Sequence, residues 1–238
     1  MCIGHVNLSR GYRGGERQTQ LLIEGLSALG WSQKLIARRS EELSKRCASI
    51  EGLELVEVHG NILSATFALK DVALAHIHDG RSVQAGFLNQ ALRGIPYLIT
   101  RRVQKGPQHT RLVRLMYGAA AAIVTVSEAI SESIAALDSR LACAVVPDAS
   151  SELKFDLERS REIRESFGAE FVVGHIGALD DSHKGQRQII AIADSIGAVA
   201  NSISFVMVGS GRDESALKGI AEGMSNVFFT GQVGNVGD

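Results

Sequence analysis

The sequence is poor in aromatic residues, cysteine and proline, and each shortage excludes a class of protein. Aromatic residues make up 5% of the 238 positions, which argues against a platform that stacks single-stranded bases, so no nucleic-acid partner is expected. The three cysteines are an odd number without metal-ligand spacing, which argues against a disulfide framework and indicates reduced thiols. Three prolines beside 25 glycines suit an α/β protein with tight turns.

Long apolar runs are missing as well. The longest stretch of low polarity, Gly118–Val126, is far shorter than the about 18–20 residues of a membrane-spanning helix. The N-terminus lacks the basic-then-apolar pattern of a secretory signal. We therefore expect a cytoplasmic protein.

The net charge of −1 conceals an asymmetry between the two parts of the chain. Residues 1–150 carry 17 Lys and Arg against 13 Asp and Glu, whereas residues 151–238 carry 8 against 13. A basic front half favours an anionic partner, such as a phosphorylated glycan or a lipid surface. Solvated surface charge explains the same excess equally well.

Short apolar segments alternate with amphipathic ones, which predicts parallel, doubly wound α/β sheets. A polar, aperiodic segment over Pro147–Phe155 predicts a boundary between a first domain, residues 1–150, and a second, residues 151–238. The second domain offers only three predicted strands, Phe171–Ile176, Ile203–Val208 and Val227–Thr230. A doubly wound sheet usually has about five or six, so we expect the second domain to be incomplete.

Glycines open the first predicted helix, which runs from Glu16 to Leu29 and carries leucines that we expect on its buried face. Gly14 and Gly15 would let a ligand approach the backbone at the helix N-terminus, although a tight turn without a ligand is the alternative. The spacing is not G-x-G-x-x-G, which argues against a nicotinamide-dependent oxidoreductase.

Two polar clusters follow strands of the first domain. His76 and His78 share one face of a strand that ends at Asp79, and they are either site groups or structural histidines. No metal is expected, because no third clear ligand accompanies the two histidines. Arg101 and Arg102 end the next strand, where they could clamp a phosphate or form part of a solvated basic face.

The second domain also has candidate ligand-binding residues after its strands, a lysine and two glycines. Lys184 stands at a predicted helix start after a strand, where it could reach a diphosphate, although the order of residues is not that of a Walker A loop. Gly209 and Gly211 follow the next strand and would again permit close approach of a ligand.

In this order the motifs resemble those of GT4-type retaining glycosyltransferases, which have the two-domain GT-B fold. Seven stretches in family order carry the resemblance across nearly the whole chain: Gly14–Glu16, Ile99–Val103, Val124–Ile130, Val145–Pro147, His183–Gln186, Val208–Gly211 and Val227–Gly231.

The resemblance implies two Rossmann-like domains, with the acceptor held mainly by the first and a nucleotide-diphosphate sugar held mainly by the second. Lys184 matches the family's diphosphate-binding lysine, His78 matches a crevice histidine near the donor sugar, and Gly15 would lie against the donor. Many members carry an arginine where this chain has Ala178. That contact is then missing or comes from another residue, such as Arg101 or Arg102.

A retaining transfer of this type needs neither a metal nor a cofactor. The resemblance implies a glycan or lipid-linked acceptor, as in lipopolysaccharide or other bacterial cell-envelope polysaccharides, and a place in the cytoplasm that extends to the inner face of the membrane. The donor nucleotide, the sugar and the acceptor stay open.

The family's acidic pair would follow Asp238. We therefore expect this chain to be inactive and to form a homodimer through its second domain. The alternatives are a non-catalytic binding fragment and, less favoured, an NAD-dependent oxidoreductase.

Overall fold

A computed structural model of the chain describes residues 1–150, 153–197 and 202–237. The chain divides into two compact units, Met1–Ser150 and Ser151–Asp238. Positions 151 and 152 of the predicted boundary segment, the side chain of His183 and position 238 lie outside the described residues.

The first unit is built on a seven-stranded parallel sheet with the order β3-β2-β1-β4-β5-β6-β7. Its strands are β1 (Cys2–Asn7), β2 (Ser32–Arg38), β3 (Leu53–Val58), β4 (Leu74–Ile77), β5 (Tyr97–Arg101), β6 (Ala122–Thr125) and β7 (Cys143–Val145). The helices between them are α1 (Gly14–Ala28), α2 (Glu42–Cys47), α3 (Ile62–Ala68), α4 (Val83–Arg93), α5 (Arg111–Gly118) and α6 (Glu128–Ala135).

The two faces of this sheet differ in chemistry. One face buries a large apolar cluster that includes Val6, Ile77 and Ile99. On the α1 side, a smaller cluster around Ile23 and Leu35 lies beside buried polar side chains. Because side chains alternate along a strand, β1 turns Val6 to the apolar face and its neighbours to the α1 face.

The prediction that α1 buries its leucine-rich face holds only in part. The leucines within α1 are half-buried, Leu29 follows the helix and is 75% exposed, and the fully buried residues of α1 are Glu16, Thr19, Gln20 and Ile23. The reason lies in the sheet, because β1 offers polar groups to this helix. Asn7 Nδ2 donates to Thr19 Oγ1 at 3.1 Å, so polar side chains of α1 face inward to pair with it.

The second unit has a three-stranded parallel sheet with the order β10-β9-β8. Its elements are α7 (Leu157–Ser166), β8 (Phe171–Ile176), α8 (Asp181–Lys184), α9 (Gln186–Gly197), β9 (Ile203–Val208), α10 (Glu214–Ile220) and β10 (Val227–Gly231). A core that includes Leu179, Ile190, Met207 and Leu217 joins α9 and α10 to the sheet. None of the helices in the described ranges combines the length and the apolar character needed to cross a membrane.

Gly4 in β1 tests the packing of the first unit. A methyl group there would lie 2.8 Å from Leu69 Cδ2 and 2.9 Å from Val72 Cγ1. Gly4→Ala should therefore lower the free energy of unfolding by about 1–3 kcal/mol, the usual cost of overpacking a filled core. Trp31, the single tryptophan, reports unfolding of this unit by fluorescence in urea.

Gly25→Ala is the matched control. A methyl group at this helical position meets nothing within 4 Å, so the variant should gain about 0.5–1 kcal/mol from the better helix propensity of alanine. Equal effects of the two substitutions would contradict the packing described for β1.

Candidate substrate-binding site

The first unit contains a cavity of about 560 Å³ at the carboxyl end of its sheet. The strand order reverses between β1 and β4, and open parallel sheets bind ligands at such a switch point. Among the residues predicted for a site, Gly15, His78, Arg101 and Arg102 line this cavity.

Gly14 and Gly15 form the first turn of α1. A Cβ atom at either position would meet nothing within 4 Å, and neither residue has a positive φ. The fold therefore places no demand for glycine at these two positions. Their effect is to leave the N-terminus of α1, with its free N–H groups and partial positive charge, uncovered.

A buried chain of hydrogen bonds runs from the cavity into the sheet. Arg102 Nη1 lies 3.4 Å from His78 Nδ1, and His78 Nε2 lies 3.1 Å from His5 Nδ1. His5 Nε2 lies 3.0 Å from Gln33 Oε1, and Gln33 Nε2 donates to the carbonyl oxygen of Ile23 at 3.0 Å. Because a guanidinium can only donate, each imidazole must carry its proton on Nε2 and pass the hydrogen bond inward.

The two histidines in this chain of hydrogen bonds, His5 and His78, are neutral. Burial lowers the pKa of His5 from 6.5 to about 4, although the hydrogen bond to Gln33 opposes the shift. Burial, with the neighbouring histidines and Arg102, also lowers the pKa of His78 well below its usual value. Both ring nitrogens of His78 are engaged within the protein. In this arrangement His78 holds the Arg102 side chain and has no ring nitrogen left for a ligand.

The expectation that no third metal ligand accompanies His76 and His78 is wrong, because His5 on β1 pairs in register with His76 on β4. One donor nitrogen from each of the three histidines lies within 4.8 Å of the others. His76 Nε2 is hydrogen-bonded to Thr100 Oγ1 at 2.7 Å. A metal ion bound to this trio would have to replace the hydrogen bond between His78 and His5.

Arg101 and Arg102 lie at the rim of the cavity with different partners. Arg102 Nε pairs with Asp148 Oδ1 at 2.9 Å. Arg101 donates to the hydroxyl of Tyr117 and to the carbonyl of Lys105. Its Nε is buried and has no hydrogen-bond partner in the part of the chain that the structure describes.

The cavity also contains functional candidates that the sequence patterns did not reveal. His5 belongs to the hydrogen-bonded chain, and Arg10, Arg38 and Arg81 line the wall. Polar residues at positions 5 and 7 of an otherwise apolar strand were the available signal for His5. The three arginines come from separate loops and strand ends, and only the strand order brings them together.

In the second unit, Lys184, Gly209 and Gly211 gather at one loop after β8. The sequence predicts Lys184 at the start of the long helix. In the structure Lys184 instead ends α8, and Gly185 with a φ of 67° separates it from α9. Its Cε would lie 3.8 Å from a Cβ atom on Gly177. Arg212 reaches the same loop, where its Nη2 donates to Asp180 Oδ1 and Ser182 Oγ at 2.7 Å each.

Gly209 and Gly211 are required by the fold itself. A Cβ atom on Gly209 would lie 2.1 Å from the carbonyl oxygen of Gly177, and one on Gly211 would lie 2.3 Å from that of Leu179. Gly209 also has a φ of 134°. Close packing of two loops therefore explains both glycines without a ligand.

No protein-family model matches this sequence, and no curated protein matches it. Solved structures do. HepE from Anabaena, in complex with UDP and glucose, aligns with a TM-score of 0.79 at 15% identity over 98% of this chain and 70% of its own. Sucrose-phosphate synthase from Thermosynechococcus elongatus aligns with a TM-score of 0.72 at 14% identity over 98% of this chain and 71% of its own.

The chain has a GT-B-like fold. A third structure, the lipopolysaccharide outer core galactosyltransferase WaaB in its apo form, aligns with a TM-score of 0.65 at 14% identity over 98% of this chain and 69% of its own. These matches confirm the predicted GT-B-like architecture with two Rossmann-like units.

The buried histidines predict a loss of stability in acid. Unfolded His5 takes up a proton near its ordinary pKa of 6.5, whereas folded His5 does so only near pH 4. Between these values the unfolded state binds more protons, so the free energy of unfolding should fall as the pH falls through this window. Urea unfolding followed by Trp31 fluorescence measures it.

Two substitutions isolate the effect. His5→Gln keeps a hydrogen-bonding side chain but removes one titrating group, so the dependence on pH should become shallower. The control is His59→Gln, which makes the same exchange at an exposed position. If His5→Gln and the unmodified chain showed the same slope, the buried neutral histidine would be the wrong explanation.

Proposed function

We propose that this chain is a retaining glycosyltransferase of the GT4 type, which transfers a sugar from a nucleotide-diphosphate donor to a glycan or lipid-linked acceptor. One observation carries the proposal. Five of the seven stretches that resemble the family include the carboxyl end of a parallel strand in a GT-B-like fold, and the other two, Gly14–Glu16 and His183–Gln186, belong to the segments that follow β1 and β8. Ligands of open α/β sheets bind at that edge.

The second unit is proposed to bind the donor diphosphate. The carboxyl edge of its sheet carries Lys184 and, on the same loop system, Arg212. Arg212, which pairs with Asp180 and Asp213, is proposed to supply the cation that the family has at the position of Ala178, in place of Arg101 or Arg102. The HepE structures in complex with UDP and with UDP-glucose support a nucleotide-sugar donor.

Transfer of the sugar requires that the negative charge of the departing diphosphate be stabilised. Preorganised cations aimed at developing negative charge contribute most when they need no rearrangement during the reaction. Lys184 meets this need in the second unit. In the first unit, Gly15 and Arg101 are proposed to contact substrate, and His78 acts as a positioning residue that keeps Arg102 in place.

The cellular role follows from the acceptor class. A lipid-linked or envelope-glycan acceptor would place the protein in the cytoplasm at the inner face of the membrane. The basic balance of residues 1–150 suits such an anionic surface. WaaB, a lipopolysaccharide outer core galactosyltransferase with a similar fold, supports a role in cell-envelope polysaccharide synthesis.

The direct test is a panel of UDP-, GDP- and ADP-sugars incubated with the purified chain. Calorimetry measures donor binding, and release of the nucleoside diphosphate measures cleavage or transfer. Selective binding of one nucleotide class supports the proposal. A chain that binds none of these donors would contradict it.

Lys184→Ala should weaken binding of the preferred nucleoside diphosphate about 10- to 100-fold. This is the effect of losing one charge-assisted contact worth about 1.5–3 kcal/mol. The side chain is exposed, so the stability of the protein should change by less than about 0.5 kcal/mol.

Lys70→Ala is the control. Lys70 is also exposed. It precedes β4 and therefore lies at the amino ends of the strands, whereas the cavity lies at their carboxyl ends. The variant should bind nucleotide normally. If both variants bound with unchanged affinity, Lys184 would not belong to the site.

A further inference from the structure

The cavity of the first unit is strongly cationic. Six arginines line it, against only two carboxylates, Glu16 and Asp79. They are Arg10, Arg13, Arg38, Arg81, Arg101 and Arg102. Guanidinium groups stay protonated under all ordinary conditions, so the excess of positive charge is permanent.

The two carboxylates, together with Asp148 that pairs with Arg102, offset three of the six positive charges and leave an excess of three. Asp79 accepts hydrogen bonds from the backbone N–H groups of Leu8, Arg81 and Ser82, at 2.8, 2.9 and 3.0 Å. Glu16 accepts one from the backbone N–H of Arg13 at 2.9 Å. Their oxygens shape the loops after β1 and β4 and form no ion pair with the guanidinium groups among the described residues.

Several of the arginines have donors to spare. The side chains of Arg10 and Arg81 form no hydrogen bond or ion pair within the described part of the chain, and Arg101 Nε is buried without a partner. Arg38 donates only a long hydrogen bond of 3.4 Å, to the carbonyl oxygen of Leu8. Like charges that converge on one cavity repel each other, and an anion bound there would relieve the repulsion.

We propose that this cavity binds a phosphate group of the acceptor, so that the glycan or lipid-linked acceptor carries a phosphorylated sugar. Arg10, Arg38 and Arg81 are the contacts. Planar guanidinium forks match phosphate oxygens bidentately, and a phosphate monoester carries close to two negative charges. The inference rests on the proposed function, since it names the substrate that receives the transferred sugar.

A phosphate in this cavity has two sources, the acceptor and the diphosphate of the donor. The donor diphosphate is assigned to Lys184 and Arg212 in the second unit, which leaves the arginines of the first unit for the acceptor. The volume of about 560 Å³ is within the range of sites that hold small molecules. Separate measurements with a sugar phosphate and with UDP distinguish the two sources.

The experiment is calorimetric titration of the whole chain with glucose 6-phosphate and glucose 1-phosphate, and with glucose and glucuronate for comparison. We expect at least one sugar phosphate to bind at least tenfold more tightly than glucose. Arg81→Gln and Arg10→Gln should each weaken that binding at least tenfold. Arg114→Gln removes the same charge from an exposed position of α5 outside the cavity, and it should change the affinity less than twofold.

Titration with UDP, alone and with saturating sugar phosphate, separates this inference from the proposed function. Binding of both ligands together, with UDP affinity unchanged in Arg81→Gln, supports an acceptor site. Displacement of the sugar phosphate by UDP would assign the cavity to the donor and overturn the inference, although a glycosyltransferase would remain.

Three further results would overturn the inference. Glucuronate could bind as tightly as the sugar phosphates, Arg114→Gln could weaken binding as much as Arg81→Gln does, or no sugar phosphate could bind better than glucose. Failure of the unmodified chain to bind any nucleoside diphosphate would instead contradict the proposed function itself.

Discussion

The hydrogen-bonded chain from Gln33 through His5 and His78 to Arg102 links the interior of the first sheet to its cavity. Each ring nitrogen of the two histidines has one partner, and a buried nitrogen that loses its partner costs about 1–3 kcal/mol. The members therefore depend on one another. A change of tautomer in one ring would place two donors, or two acceptors, opposite each other at the hydrogen bond to its neighbour.

This dependence explains several features of the first unit together. The polar chain lies on the α1 side of the sheet, where Gln33 donates to the carbonyl oxygen of Ile23 in α1, and beside it Asn7 of β1 donates to Thr19 of α1. The chain ends at Arg102, whose guanidinium is fixed further by Asp148. A guanidinium fixed from two sides needs little rearrangement to meet an anion, which is the condition for strong electrostatic stabilisation.

The reversal of strand order between β1 and β4 decides where the remaining charges meet. Loops that follow parallel strands all leave at one edge of the sheet. Arg38 at the end of β2, Arg81 after β4 and Arg101 at the end of β5 are far apart in sequence and share one cavity. Six of the 17 basic residues in positions 1–150 therefore line this one cavity.

The two glycine pairs of the candidate sites have different structural roles. Gly14 and Gly15 have open space around them, whereas a side chain at Gly209 or Gly211 would collide with the carbonyl oxygens of Gly177 and Leu179. The motifs that contain them look alike in sequence, because both follow a strand. Only the contacts show that the first pair leaves room for a ligand and the second pair permits two loops to pack.

The sequence by itself determined the alternation of strands and helices, since hydrophobic period and turn residues act over a few positions. The predicted bounds of β8 and β9 agree with the structure, and the GT-B-like architecture followed from the order of the motifs. The tertiary structure alone decided that His5 joins His78 and that α1 turns polar residues inward. These features depend on strand register and on partners tens of residues away, and no local pattern carries that information.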